Sequence, residues 1–306
     1  MRPISRRLVL TAAAALPTGL RAATPVRVGS KLDTEAALLG TIVLLLLKAG
    51  GIPVESRLRL GPTKILRSAI TTGEIDLYPE YTGNGAFFFN RESDPAWKDP
   101  KAAYDLVRRL DAEQNHLAWL PPAPASNGWG IAVNGKTAQQ NKLQTLGDFA
   151  RWVNEAGMVK LAASAEFVES AAALPAFQAA YGFKLTSPQL VVLAGGDTSA
   201  TERAAAENTS GVNAAMAYGT DGAIAALDLV LLEDPKHAQL VYEPCPVIRQ
   251  TVLDAYPTLP TLLAPAFAAL DGPTLRTLNA KIAVDGQDVE TVATTWLKDK
   301  KLLKNP

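Results

Sequence analysis

The densest run of chemically capable side chains is Gly73-Glu74-Ile75-Asp76-Leu77-Tyr78-Pro79-Glu80-Tyr81-Thr82-Gly83, where a strand ends in a proline turn and presents acids, phenols and a hydroxyl close together. Read as paired carboxylates for acid–base catalysis, Glu74, Asp76 and Glu80 have no accompanying nucleophile or metal set, so a hydrogen-bonded structural role fits them better. The aromatic residues point elsewhere. Trp129 follows Asn127-Gly128, Tyr218 precedes Thr220-Asp221-Gly222, and Tyr242 comes shortly after Pro235. Each lies at a strand end or a boundary between units, as does Tyr81. Any one of these rings taken alone reads as a half-buried packing residue. Four of them converging on a cleft would form a cage suited to a quaternary ammonium. Such a cation has no N–H to donate, so it is held by ring quadrupoles and methyl contacts at ~0.5–2 kcal/mol per ring.

Most other chemistry is excluded by composition. Cys245 is the sole cysteine of the 306 residues, so there is no internal disulfide and no CxxC pair, and its position between Pro244 and Pro246 suits a buried free thiol. His116 and His237 are too few and too far apart for a histidine metal cluster and read as surface residues. Gly195-Gly196-Asp197 lacks the Gly-Lys-Ser/Thr continuation of a phosphate loop. No cofactor is expected. Lys plus Arg equals Asp plus Glu at 30 each, which leaves no positive field to gather nucleic acid.

The elements that must position these residues alternate. Val26-Arg27-Val28 is a strand; Asp33 or Thr34 caps a helix running through Ala36–Leu47 to Gly50-Gly51; a strand follows over 52–60. A helix after Gly61-Pro62 ends at Gly73 before the strand at Ile75–Tyr78. This β-α-β-α-β order predicts an α/β fold with a mostly parallel sheet and ligands beyond its strand ends. A helix over 101–115, the stiff Pro121-Pro122-Ala123-Pro124 segment and a strand over 129–133 mark a crossing into a second α/β lobe. There the alternation resumes: helix 146–153, strand 159–163, helix 172–181, strand 190–193, helix 200–207, strand 212–217. The strand at 228–232 and helices at 249–256, 274–284 and 288–302 have no complete sheet of their own and are expected to return to the first lobe. The expected division is 24–124 and 223–306 for lobe 1 and 125–222 for lobe 2, with a two-segment hinge.

Residues 1–23 carry Arg2, Arg6 and Arg7 ahead of the apolar run Leu8–Leu16, then Pro17, Gly19 and the small Ala22-Ala23. That is the three-part pattern of an export signal. Ser5-Arg6-Arg7-Leu8-Val9-Leu10 resembles a twin-arginine signal, and the general secretory route stays equally open. With no cysteine near the cleavage region, a lipid anchor is not expected, and the destination is the periplasm. Cleavage removes Arg2, Arg6, Arg7 and Arg21, taking the formal net charge from 0 to −4.

Gly29-Ser30-Lys31 with Thr34-Glu35, the Gly73–Gly83 string, Ala217-Tyr218-Gly219-Thr220-Asp221-Gly222 and Leu231-Leu232-Glu233-Asp234 together resemble the substrate-binding proteins of osmoprotectant ABC importers. These are the glycine betaine, choline and carnitine binders, and Val212–Tyr218 is most similar to the low-affinity, non-osmoregulatory betaine-binding subgroup. The resemblance implies a type II periplasmic binding fold, a small quaternary ammonium ligand, and as partners a permease in the inner membrane with its cytoplasmic ATPase. A monomer is expected. It also implies cage roles for Tyr81, Tyr218 and Tyr242, with Trp129 where the family usually has Tyr, and a carboxylate-facing role for Lys31. Thr82, Asn84, Asn127, Thr220 and Asp221 supply polar groups, although Asp221 suits equally an N-cap of the helix after it. One departure stands out. Family members that grip a betaine carboxylate often carry Arg after a Glu-Phe pair, and the corresponding stretch Glu166-Phe167-Val168-Glu169-Ser170 has Ser170. Losing a charge-assisted fork costs about 1.5–3 kcal/mol, so betaine should bind weakly or the ligand should differ. Two other readings stand beside this one: an exported enzyme on the same bilobal scaffold, and a ligand-sensing partner of a membrane receptor.

Overall fold

The computed structural model describes residues 24–155, 158–193 and 198–303; the expected leader at 1–23 and the Gly195-Gly196-Asp197 stretch lie outside them. The chain opens with β1 (Val26–Lys31), α1 (Thr34–Ala49), β2 (Val54–Gly61), α2 (Thr63–Thr72), β3 (Leu77–Tyr81), α3 (Gly85–Phe88), α4 (Pro100–Asn115) and β4 (Leu117–Trp119). Asp33 caps α1 by accepting from the Ala36 amide at 2.8 Å. The helix is apolar nearly all round because it is enclosed. Leu38, Leu39, Ile42, Val43 and Leu47 are fully buried between the first sheet and the C-terminal helices. No helix among the described residues is long and apolar enough to cross a membrane.

The middle of the chain adds β5 (Trp129–Asn134), α5 (Gly135–Asn141), α6 (Leu146–Asn154), β6 (Leu161–Ser164), α7 (Ala165–Glu169), α8 (Leu174–Tyr181), β7 (Leu190–Leu193), α9 (Thr198–Ala206), β8 (Ala214–Tyr218), α10 (Gly222–Ala226) and β9 (Leu229–Leu231). The last part is β10 (Pro244–Arg249), α11 (Gln250–Ala255), α12 (Leu259–Ala268), α13 (Gly272–Ala283) and α14 (Val289–Asp299). Two five-stranded sheets result, in the orders β2-β1-β3-β10-β4 and β7-β6-β8-β5-β9. Each has a parallel portion flanked by antiparallel pairing through β10 or β5.

Two expectations are corrected by this topology. The strand near 228–232 does not return to the first sheet: β9 pairs antiparallel with β5, and α10 packs in the second lobe's core through Ile224. The second crossing therefore falls after β9, not at 223. The strand that does return is β10, which the sequence reading passed over. Pro244 and Pro246 turn their backbone edge toward the crossing segment, where each needs only to accept, from Ala123 and Leu120 respectively. The missing N–H groups cost no ladder bond.

The two crossing segments are bonded to each other. The Asn127 amide donates to the Tyr242 carbonyl at 2.9 Å, and the Tyr242 amide donates to Ser126 Oγ at 3.1 Å. Gly219 closes against them so tightly that a Cβ there would stand 2.1 Å from the Ser126 carbonyl oxygen. A third junction joins α13 to α10. Arg276 donates to the Gly219 carbonyl at 2.8 Å, Asn279 donates to the Thr220 carbonyl at 2.9 Å, and Gly222 lies flat on the α13 backbone.

Candidate ligand-binding site

A cavity of about 840 Å³ opens between the two sheets. Its first-lobe wall comes from the ends of β1 and β3, the start of α1, and α13. Its second-lobe wall comes from β5, α7, α9 and the loop after β8, with the second crossing between them. This is where strand-end loops of two α/β sheets face one another.

Lys31, Tyr81, Asn84, Asn127, Trp129, Ser170, Tyr218, Thr220, Asp221 and Tyr242 all line it. Thr82 does not. It is fully buried, its hydroxyl donating to the Val241 carbonyl at 3.0 Å and accepting from the Glu243 amide at 3.1 Å, so it pins the second crossing to β3 and has no face left for a ligand.

The aromatic members differ in availability. Trp129 and Tyr218 are opposite one another in the β5–β8 register, with ring centroids 6.3 Å apart and planes tilted by 38°; the edge of Phe167 supports Trp129 from behind at 5.6 Å. Both rings are half-buried, as is Tyr242. Burial pushes the Tyr242 phenol up to about 12 and raises that of Tyr218, so both are neutral donors at physiological pH. Tyr81 is almost wholly enclosed. The Lys31 ammonium stands 4.7 Å from its ring centroid, and its phenol donates to Glu35 at 2.7 Å. One face of Tyr81 thus already carries a cation.

Lys31 itself is committed. Its ammonium pairs with buried Glu80, which also accepts from the Tyr81 amide at 2.8 Å, Asn84 Nδ2 at 2.7 Å and the Tyr78 phenol at 3.1 Å. Glu80 is therefore the hub that fixes the first-lobe wall, and Asp76 likewise serves structure by binding Arg27 and Arg249. Asp221 makes no side-chain cap to α10; its carboxylate accepts from the Tyr218 amide at 2.7 Å, which holds the strand end carrying that ring. Ser170 sits half-buried at the end of α7.

Glu35 and Asn279 are among the cavity residues that the sequence does not mark as site residues. Glu35 was visible as an acid in the first turn of a helix that follows a strand end. Asn279 had no local signal, being 244 residues away in sequence. Asn279 Nδ2 donates to Glu35 at 2.8 Å, and burial, opposed by hydrogen bonds from Thr220, Tyr81 and Asn279, pushes the Glu35 carboxyl up to about 7. Among the described residues no group of His, Cys, Asp and Glu is arranged to hold a metal. His116 and His237 are exposed and Cys245 is buried.

Two lobes hinged by paired crossings around a cleft with aromatic and polar walls define a bilobal solute-binding protein of the type II periplasmic class. Residues 24–299 match the OpuAC family, the substrate binding domain of ABC-type glycine betaine transport system, and the chain belongs to that family. It is 57% identical over 293 residues to the glycine betaine-binding protein YehZ of Escherichia coli K12, covering 96% of this chain and 95% of that protein. It is 29% identical over 309 residues to a glycine-betaine-binding protein of Pseudomonas aeruginosa, covering 99% and 96%. Among solved structures, apo YehZ from Escherichia coli superposes with a TM-score of 0.86 at 56% identity, over 92% of this chain and all of that one. A glycine betaine/carnitine/choline ABC transporter structure at 21% identity has a TM-score of 0.81, over 91% and 100%, and shares the fold.

Proposed function

We propose that this protein is the exported receptor of an ABC importer, and that it captures a small quaternary ammonium solute, glycine betaine foremost, between its lobes. The observation that carries this reading is the Trp129–Tyr218 pair facing the cleft, with Tyr242 on the crossing beside it. Together they offer electron-rich faces to a cation that cannot be hydrogen-bonded. Closure dries those faces and strengthens the attraction, so the ligand favours the closed state through its greater affinity for it.

The reading requires no covalent step. Glu80 is held in structural bonds, and Glu35 accepts from the Tyr81 phenol and from Asn279. Names of relatives that bind betaine support the ligand class. Export by the leader at 1–23, action as a monomer and delivery to a permease with its ATPase complete the reading. Calorimetric titration with glycine betaine, choline, carnitine and a neutral sugar tests it. Saturable binding of at least one quaternary ammonium and none of the sugar is expected. Sugar binding with no ammonium binding overturns it.

A further inference from the structure

Glu35 is an unusual carboxyl for a ligand cleft. It is 5% exposed, lines the cavity, and accepts from two neutral donors on two elements, the Tyr81 phenol at the end of β3 and Asn279 on α13, with Thr220 after β8 as a further neutral neighbour. No ion pair to it is found among the described residues. The charged groups around it do not change that. Lys31 on β1 is spent on Glu80; Arg276 on α13 donates to the Gly219 carbonyl; Asp33 on α1 is a like charge; and Asp221 beside Thr220 accepts from the Tyr218 amide. A buried carboxyl without a cation keeps its proton more readily than one in water.

We propose that Glu35 is the ionisable counter-charge of the cleft, releasing its proton to the buffer when a quaternary ammonium seats in the cavity. This rests on the function proposed above and deepens it. A permanent cation brought into the cavity that Glu35 lines favours the carboxylate over the acid, and the Tyr81 phenol and Asn279 are already aimed to bond that carboxylate. Proton release and ligand capture are then one linked equilibrium, and each must shift the other by the same factor. Choline, with a full net positive charge, should couple more strongly than zwitterionic glycine betaine. The carboxyl also joins the first lobe to Thr220 of the second, so its ionisation tightens the junction on which Tyr218 sits.

The test is calorimetry of choline and glycine betaine with the intact protein between pH 5.5 and 8, in pairs of buffers that differ in ionisation enthalpy. Affinity should rise about tenfold between pH 5.5 and 7.5 and level above. Apparent enthalpy should differ between buffers by the release of up to one proton. Glu35→Gln should bind with a flat pH profile and no buffer dependence. Tyr81→Phe, which removes one donor to the carboxylate, should move the midpoint to higher pH, and it serves as a second readout if the glutamine variant folds poorly. Saturable wild-type binding without proton release, or an unchanged pH profile in Glu35→Gln, overturns the inference while leaving the function standing. No binding of any quaternary ammonium at any pH overturns both.

Discussion

Trp129 and Tyr218 are directly opposed residues of adjacent antiparallel strands, and their rings form one tilted surface toward the cleft. Because the register of β5 and β8 fixes that surface, it exists before any ligand arrives. Replacing either ring by alanine should weaken quaternary ammonium binding by about 2- to 30-fold, the equivalent of ~0.5–2 kcal/mol per ring. Both sites are only half-buried, so thermal midpoints should move by a few degrees at most. Titration calorimetry with each variant checks this, and wild-type affinity in both would remove the pair from the site.

Ser170 lines the cavity at the end of α7, where the resemblance places an arginine in tighter betaine binders. Ser170→Arg should tighten glycine betaine roughly tenfold to a hundredfold through a charge-assisted fork worth about 1.5–3 kcal/mol. Choline has no carboxylate and should gain nothing. An equal gain for both ligands would show that the arginine acts by some route other than carboxylate capture.

Gly222 lies on α13 so closely that a Cβ would be 2.3 Å from the Ala280 nitrogen, and backbone cannot step aside as a side-chain tip can. Gly222→Ala should therefore cost about 1–3 kcal/mol by overpacking and loosen the junction that holds Thr220. Thermal denaturation should show the lower midpoint. Gly182→Ala is a poor control because its φ is +70°, so Gly147→Ala, with only the Thr145 hydroxyl at 3.4 Å, is the better comparison.

Burial pushes the carboxyls of both Glu35 and Glu243 up to about 7 from an ordinary 4.5. The folded protein thus keeps protons that the unfolded chain has released, and stability of the unliganded form should fall as pH rises from about 4.5 to about 7, then level off. Asp76 works in the opposite sense at lower pH. Burial opposes its ionisation, but hydrogen bonds from Arg27 and Arg249 hold its carboxyl below the ordinary 3.8, so that contribution is lost as pH falls through the acid range. The thermal midpoint should peak near pH 5, and Glu35→Gln should flatten the decline above it. A midpoint that climbs steadily from pH 5 to 7.5 would contradict this.

Much of the site was legible because its residues sit where local patterns end. Trp129, Tyr218 and Lys31 each close or open a strand, and Gly73, in the left-handed conformation after α2, marks the helix end that precedes β3. What stayed hidden depends on pairing over long separations. Nothing in Leu229–Leu231 says that its partner is β5, and prolines at 244 and 246 disguise an internal strand that, at those two positions, only accepts from the crossing segment. Thr82 shows the same dependence on long separations: its motif places it beside the cavity wall, but the Val241 carbonyl that its hydroxyl bonds is 159 residues away. Lys31 faces the cavity as read, yet its pairing with Glu80, 49 residues on, could only be seen once β1 and β3 were side by side.

The grip of α13 on the carbonyls of Gly219 and Thr220 has a mechanical corollary. Tyr218 immediately precedes that gripped pair, so a first-lobe helix tethers the strand end that carries a second-lobe ring. On the function proposed above, the seat for the cation would be anchored from both lobes at once.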